Sequence, residues 1–390
     1  MTIKKASDKK RPSVLRHRLL VGALAMTAAA CSSSSSPTDA GSAGSSGSSG
    51  SGTPTKTDAE FKSDVTTGIQ QLIAVQLDAL QKAAVDLQNA APTPSGRGWD
   101  DAMDAQALAA MKDAWRRARL AYEHVEGAVA PLFPDIDTSI DARYDDFMAT
   151  LASVGGDSYL FDDQGVTGMH AVERILYVET TPAKVVEFEK VLPGYKPAAY
   201  PATAAEAADF KTKLCARFVT DANTLVDQWK PAKIDLATAY AGLVALMNEQ
   251  REKVNKAATG QEESRYAQLT LADIHANLEG SRTAYDVFAP WIVAKPSSDP
   301  TKDGPTRDKL IHTGFDALAV AYNANPGDAI PQPPATWSSI NPTADDLATP
   351  FGKLYTSVKQ AVDPNVAGSV VHEMNAAADA LDFPRFKAMP

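Results

Sequence analysis

From Asp58 onward the chain repeats one signal: alanine-rich segments whose apolar residues recur three and four apart, with almost no alternating β-branched runs. Helices carrying a single apolar stripe must bury it against other helices, so the expectation is an all-α fold. FKSDVTTGIQQLIAVQLDALQKAAVDLQNAA aligns Val65, Ile69, Leu72, Ile73, Leu77, Leu80 and Ala84 along one face before APTPSG stops it. A second helix is predicted over DAMDAQALAAMKDAWRRARLAYEHVEGAVAPLF, with Trp115, Tyr122 and Val125 toward the core and Pro131 near its end. PDIDTSIDARYDDF reads as a loop, TGMHAVERILY as a helix, and further helices are expected at about 204–229 and 237–257. Four later segments keep the same spacing, while VLPGYKPAAYPAT and PGDAIPQPPATWSSINPT read as long loops. The expected architecture is two tandem antiparallel helical bundles, residues 57–230 and 231–390.

The first 30 residues read as a signal peptide: Lys4, Lys5, Lys9, Lys10, Arg11, Arg16 and Arg18 precede a short apolar run. Ala28-Ala29-Ala30-Cys31 resembles a bacterial lipoprotein signal, with Cys31 as the acylated residue. Residues 31–56 add a Gly/Ser tract with nothing to bury, a flexible tether reaching roughly 25–30 Å. The expectation is export to the periplasm or cell envelope, held to a membrane by the lipid. The net charge of −10 becomes more negative once the basic leader is removed, which argues against nucleic acid as a partner and favours cations. Cys215 is the one other cysteine, so there is no intrachain disulfide framework and no cysteine metal site.

Four stretches carry more polar side chains than packing requires. His170 and Glu173 stand three apart, so imidazole and carboxylate share a helix face and can reach a common object. Glu123 and Glu126 of YEHVE repeat that spacing. DIDTSIDARYDDF gathers Asp135, Asp137, Asp141, Arg143, Asp145 and Asp146, and EESRYAQLTLADIHANLEGSR holds Glu263, Arg265, Asp273, Asn277, Glu279 and Arg282. Desolvated carboxylates repel one another, so a buried cluster of them needs a cation or bound protons. Oxygen donors with one imidazole suit iron, manganese or zinc, and ferritin-like bundles use a related Glu-x-x-His design, here in reversed order. The plainer readings are solvated helix faces for the Glu pair and helix capping for the Asp-rich stretch. His124, His275, His312 and His372 lack a second ligand at recognisable spacing and read as structural or exposed. His372-Glu373 has no following histidine to make a zinc-protease helix, and no nucleophile elbow, P-loop or dinucleotide fingerprint occurs.

Gly168-x-His170-x-x-Glu173 matches the G-x-H-x-x-E signature of the imelysin-like family. YEHVE, SIDARYDDF and RYAQLTLADIHANLEGS resemble, in the same order, segments of EfeO-type iron-uptake proteins, over residues 57–385. The resemblance implies two four-helix bundles with a metal-binding cleft between them. Carried over by motif, it implies metal ligands at Glu123, Glu126, Asp141, His170, Glu173 and Glu279, with Arg143, Arg265, Asp273 and Asn277 in support. It further implies capture of iron, or another divalent cation such as manganese or zinc, for an inner- or outer-membrane iron transporter. No β-rich cupredoxin domain is expected ahead of the first helix, so the chain resembles an imelysin-domain-only lipoprotein. The family's link to proteolysis makes a metallopeptidase the alternative. A cleft for heme, polysaccharide or protein around a structural metal is a third.

Overall fold

The computed structural model describes residues 56–387, and every regular element within them is helical. The expected signal peptide, Cys31 and nearly all of the 31–56 linker lie outside the described residues. Helix α1 (Asp58–Ala90) begins at a capping box, in which Thr57 accepts the Glu60 N–H and the Glu60 carboxylate accepts the Thr57 N–H at 2.7 Å. Its predicted stripe is buried from Val65 to Ala84, with Leu72 at the margin, and Ala83 and Leu87 are buried besides.

The predicted second helix is interrupted. It runs as α2 (Ala105–Glu123), turns at His124 and Val125, and resumes as α3 (Glu126–Leu132). Trp115, Tyr122 and Val125 are nevertheless fully buried. The Asp-rich stretch read as a loop is two short helices, α4 (Pro134–Asp141) and α5 (Tyr144–Leu151). Proline at the first position of α4 and acids in the first turn of each are favourable there, because proline loses no hydrogen bond and the acids face the positive helix end. Next come α6 (Gly168–Leu176), α7 (Ala183–Glu189), α8 (Ala204–Asp209) and α9 (Cys215–Trp229), the last two joined through a π-helical turn at Phe210–Leu214. The remainder is α10 (Leu236–Lys256), α11 (Thr270–Val293), α12 (Gly304–Asn323), α13 (Ala344–Ala348), α14 (Pro350–Val362) and α15 (Val370–Ala380). The two proline-rich stretches are loops, as expected.

α1 packs along α2 and α9, with α4 and α6 against α9 and α2. α10, α11, α12, α14 and α15 pack on one another, α3 lies on α10, and α11 also touches α1 and α2. One apolar core runs from Val65 to Leu381. The expected division at residue 230 falls in the turn between α9 and α10. Among the described residues no helix is long and apolar enough to cross a membrane.

Two contacts fix α6, which carries the G-x-H-x-x-E motif, and a third fixes α4, the helix it starts against. Gly168 has φ +82°, and a Cβ there would lie 2.6 Å from the carbonyl oxygens of Ser139 and Ile140, so only glycine lets α6 start against the end of α4. Trp115 of α2 donates its indole N–H to the Met169 carbonyl at 2.9 Å. Tyr122 donates to Asp137, which ties α4 to α2 from the other side.

The seam between α3 and α10 is as tight. A Cβ on Gly242 would stand 2.1 Å from the Gly127 carbonyl oxygen, a backbone atom that cannot swing aside. Gly242→Ala is therefore expected to destabilise the protein by about 1–3 kcal/mol despite alanine's better helix propensity. Chemical denaturation measures this directly, and an unchanged or higher midpoint would show that the seam yields.

Candidate metal centre

The polar centre forms around a guanidinium. Arg119 of α2 is completely buried. It bonds to Asp141 at the end of α4 and pairs with Glu123 one turn along its own helix. Its Nε reaches Asp273 of α11 at 3.4 Å, and Nη2 lies 3.9 Å from Glu263, in the loop before α11. Desolvating a charge of this kind costs several kcal/mol, so the fold tolerates it only with carboxylates on every side. That requirement draws α2, α4, α11 and the 260–268 loop to one point.

His170 lies in contact with the same ring and is 1% exposed. Its Nε2 is 3.1 Å from Asp141 Oδ1 and its Nδ1 is 2.7 Å from Glu173 Oε2. The other Glu173 oxygen accepts the backbone N–H groups of Tyr266 and Ala267 at 3.0 and 2.9 Å. Glu173 is thus committed to holding the imidazole and the loop, and it leaves Nε2 as the nitrogen aimed at the acidic cluster. Burial alone would lower the basicity of His170, but its bonds to Asp141 and Glu173 outweigh burial and raise it above the usual histidine range.

Donor atoms of Asp141, His170 and Glu263 all lie within 4.8 Å of one another, and all three residues are buried. Two carboxylates and one imidazole at this spacing match the preferences of divalent iron, manganese or zinc. Arg143 fixes Glu263, donating from Nη1 at 3.3 Å to its carboxylate and to the Gln261 carbonyl. Burial would raise the Glu263 pKa, yet Arg143, Lys253, Lys256 and Arg119 together hold it well below the ordinary range. Arg265 anchors the same loop to α5, donating to Asp145 at 2.8 Å.

Glu123 and Glu126 form an adjoining layer. Although the helix breaks between them, Asn277 of α11 donates to both carboxylates. Lys253 of α10 lies 3.2 Å from Glu126 and 3.7 Å from Glu123. Gln250 then donates to Asn277 at 3.2 Å, and Tyr322 donates to Gln250 at 2.7 Å. Burial pushes Glu126 up to about 7 against the pull of Lys253, and pushes Asp273 up to about 7 against Arg119. Glu123 is raised as well, because burial outweighs Arg119. Glu126 and Asp273 therefore titrate near neutrality, whereas Glu263 stays ionised.

Of the residues proposed from motifs, the structure brings together Asp141, His170, Glu173, Glu123 and Glu126, together with Arg143, Asp273 and Asn277. Arg265 supports from the loop. Glu279 stands apart. Its side chain is 69% exposed and pairs with His124 at 3.2 Å, on the face of α11 turned away from Arg119. Asp273 and Asn277 occupy the inward face, and Glu279, two residues beyond Asn277, cannot share it. Sequence reading missed Arg119, Lys253 and the donor position of Glu263. Arg119 was visible as a basic residue four before Glu123 and on the same helix face as Trp115 and Tyr122, the same spacing logic applied to the acids. Glu263 had no such signal, because it reaches the cluster from a loop.

The sequence matches the imelysin family over residues 63–325, a span that ends before α13. It is 25% identical over 263 residues to the iron uptake system component EfeM of Pseudomonas syringae pv. syringae, a match covering 65% of this chain and 75% of that protein. It is 26% identical over 196 residues to the iron uptake system component EfeO of Escherichia coli, and 27% over 198 residues to EfeO of Yersinia pseudotuberculosis. Each of those matches covers 50% of this chain but only 41% of the EfeO protein. With the family match spanning most of α1 to α12, the chain belongs to the imelysin family.

Proposed function

We propose that this protein captures iron, as Fe²⁺ or Fe³⁺, at Asp141, His170 and Glu263 and supports its uptake across the cell envelope. The observation that carries the reading is the convergence of these three buried donors, with His170 pre-oriented by Glu173. In the metal-free protein a proton on His170 Nε2 and the Arg119 guanidinium satisfy Asp141; the incoming cation takes the place of the proton. Glu123, Glu126 and Asp273 adjust the charge around it by losing their own protons. The names of the EfeM and EfeO relatives support an uptake role, and a membrane iron transporter would be the receiving partner. Manganese and zinc satisfy the same donor set, and the leader-like segment with Cys31 fits a lipid-anchored periplasmic location. Hydrolysis would require a peptide to reach donors enclosed by Arg119, Arg143 and Lys253, which favours capture of a small ion over a metallopeptidase. The same enclosure disfavours heme or polysaccharide at this point.

Anaerobic calorimetric titration with Fe²⁺ tests the site. His170→Ala is expected to abolish tight binding, and Glu173→Gln to weaken it by about 10- to 100-fold, because the glutamine no longer fixes a basic imidazole. Helical content should remain near that of the unaltered protein in both. Unchanged affinity in His170→Ala would remove the assignment.

Protonation supplies a separate test. His170, Asp273, Glu126 and Glu123 all have pKa values raised by the fold, so the free site binds protons that the metal must displace. Affinity is expected to rise between pH 5.5 and 8, with proton release measurable as a buffer-dependent binding enthalpy. The same groups make metal-free stability fall as pH rises from about 5 through 7, since the folded state holds protons that the unfolded chain releases at lower pH. Glu263 shifts the other way, but its window lies below about pH 4.5 and does not enter this range. A pH-independent affinity would contradict the proton-exchange reading.

A further inference from the structure

We propose that His124, His275 and Glu279 form a second, outer site for a divalent transition-metal cation of the zinc or ferrous class, separate from the buried cluster. The three side chains line one cavity of about 400 Å³ between α2 and α11. His275 and Glu279 stand one turn apart on α11, so both can address the same point. His124 enters from the end of α2.

The hydrogen bonds specify what the cavity lacks. His124 Nδ1 lies 2.8 Å from the Leu120 carbonyl oxygen, which can only accept, so Nδ1 carries the proton. Nε2 then faces Glu279 Oε2 at 3.2 Å. A neutral imidazole presents a lone pair there, opposite another lone pair, and the contact is favourable only with a proton or a metal ion shared between them. A backbone carbonyl on Nδ1 with Nε2 directed outward is the usual posture of a metal-ligating histidine.

His275 favours the metal over the proton. Its ring nitrogens make no hydrogen bond among the described residues, and its ring is held edge-on against Tyr322 at 5.2 Å. Burial lowers its basicity below the usual histidine range, so it remains a neutral donor. The remaining carboxylate of the cavity, Asp328, is committed to Arg116 at 2.7 Å. The three donors do not all lie within 4.8 Å of one another in the structure as it stands. A cation seated between His124 and Glu279 would therefore draw the His275 ring toward them, giving two imidazoles and one carboxylate with further positions open to water. His312 supplies an internal contrast. It bonds the Asp308 carbonyl through Nδ1 and Asp286 through Nε2 in the same way, yet among the described residues no second histidine faces it, and a proton suffices.

The test is titration of the full chain with Zn²⁺ alone, followed by calorimetry and by the visible absorption of Co²⁺ as a spectroscopic substitute. The unaltered protein is expected to take up one equivalent more than the His124→Ala/His275→Ala variant. That difference should persist in a His170→Ala background, which separates this site from the buried one. His312→Ala should leave the stoichiometry unchanged. Glu279→Gln, a surface change that leaves packing intact, should weaken the outer equivalent at least about tenfold. Equal Zn²⁺ stoichiometry with and without the two histidines would overturn the proposal, as would binding only at millimolar Zn²⁺. A shared proton would then account for the His124–Glu279 contact.

Discussion

The buried guanidinium of Arg119 is the constraint from which the rest of the structure follows. Without partners its desolvation would outweigh the packing gained by its helix, and no single neighbouring element carries enough carboxylates to compensate. Asp141 comes from α4, Glu123 from α2, Asp273 from α11 and Glu263 from a loop, so the charge is satisfied only when segments far apart in sequence have met. The bond to Asp141 also explains why α4 must exist as a helix with its last residue turned inward. Gly168 then allows α6 to start against that end, which delivers His170 to the same carboxylate.

Much of this was legible in the sequence because helical periodicity and same-face spacing are local properties. The stripe of α1, the burial of Trp115 and Tyr122, and the His170–Glu173 pairing all follow from residues three and four apart. The break at His124–Val125 was hidden, since nothing in YEHVEGAV interrupts the helical pattern. The Asp-rich stretch misled in the opposite direction. Its acids look like a loop, but Asp135, Asp137, Asp145 and Asp146 are first-turn residues of two short helices, where negative charge is favourable, and Asp141 ends the first of them. Glu263 and Lys253 belong to the cluster through tertiary contact alone, and spacing rules carry no information about that. Glu279 shows the limit of motif transfer, because its place in NLEGS says nothing about which side of α11 faces the cluster.

The α2–α11 crossing presents two polar faces. Inward, Arg119 and Glu123 meet Asp273 and Asn277; outward, His124 meets Glu279, with His275 lining the same cavity. Tyr322 bridges the two. Its ring abuts His275, and its hydroxyl donates to Gln250, which donates to Asn277, which in turn holds Glu123 and Glu126. Every hydrogen bond in that chain is buried, so a shift of any member leaves a polar group unsatisfied at a cost of about 1–3 kcal/mol. The orientation of α11 is therefore set jointly by both faces.

Arg119 also bears on how such a site could release what it binds. If the proposed function holds, a cage of four carboxylates and an imidazole with no fixed positive charge would bind a divalent ion too firmly to let it go. A fixed guanidinium bonded to Asp141, with Lys253 and Arg143 beside the other acids, repels an incoming cation and takes part of the carboxylate charge for itself. Because arginine cannot deprotonate at accessible pH, this opposition is permanent. Glu126 and Asp273, raised to about 7, can exchange protons near neutrality, and in the proposed reading the balance between capture and release lies with them. In the proposed reading, a modest rise in local acidity at a receiving transporter would return those protons and expel the metal while Arg119 kept the helices in place.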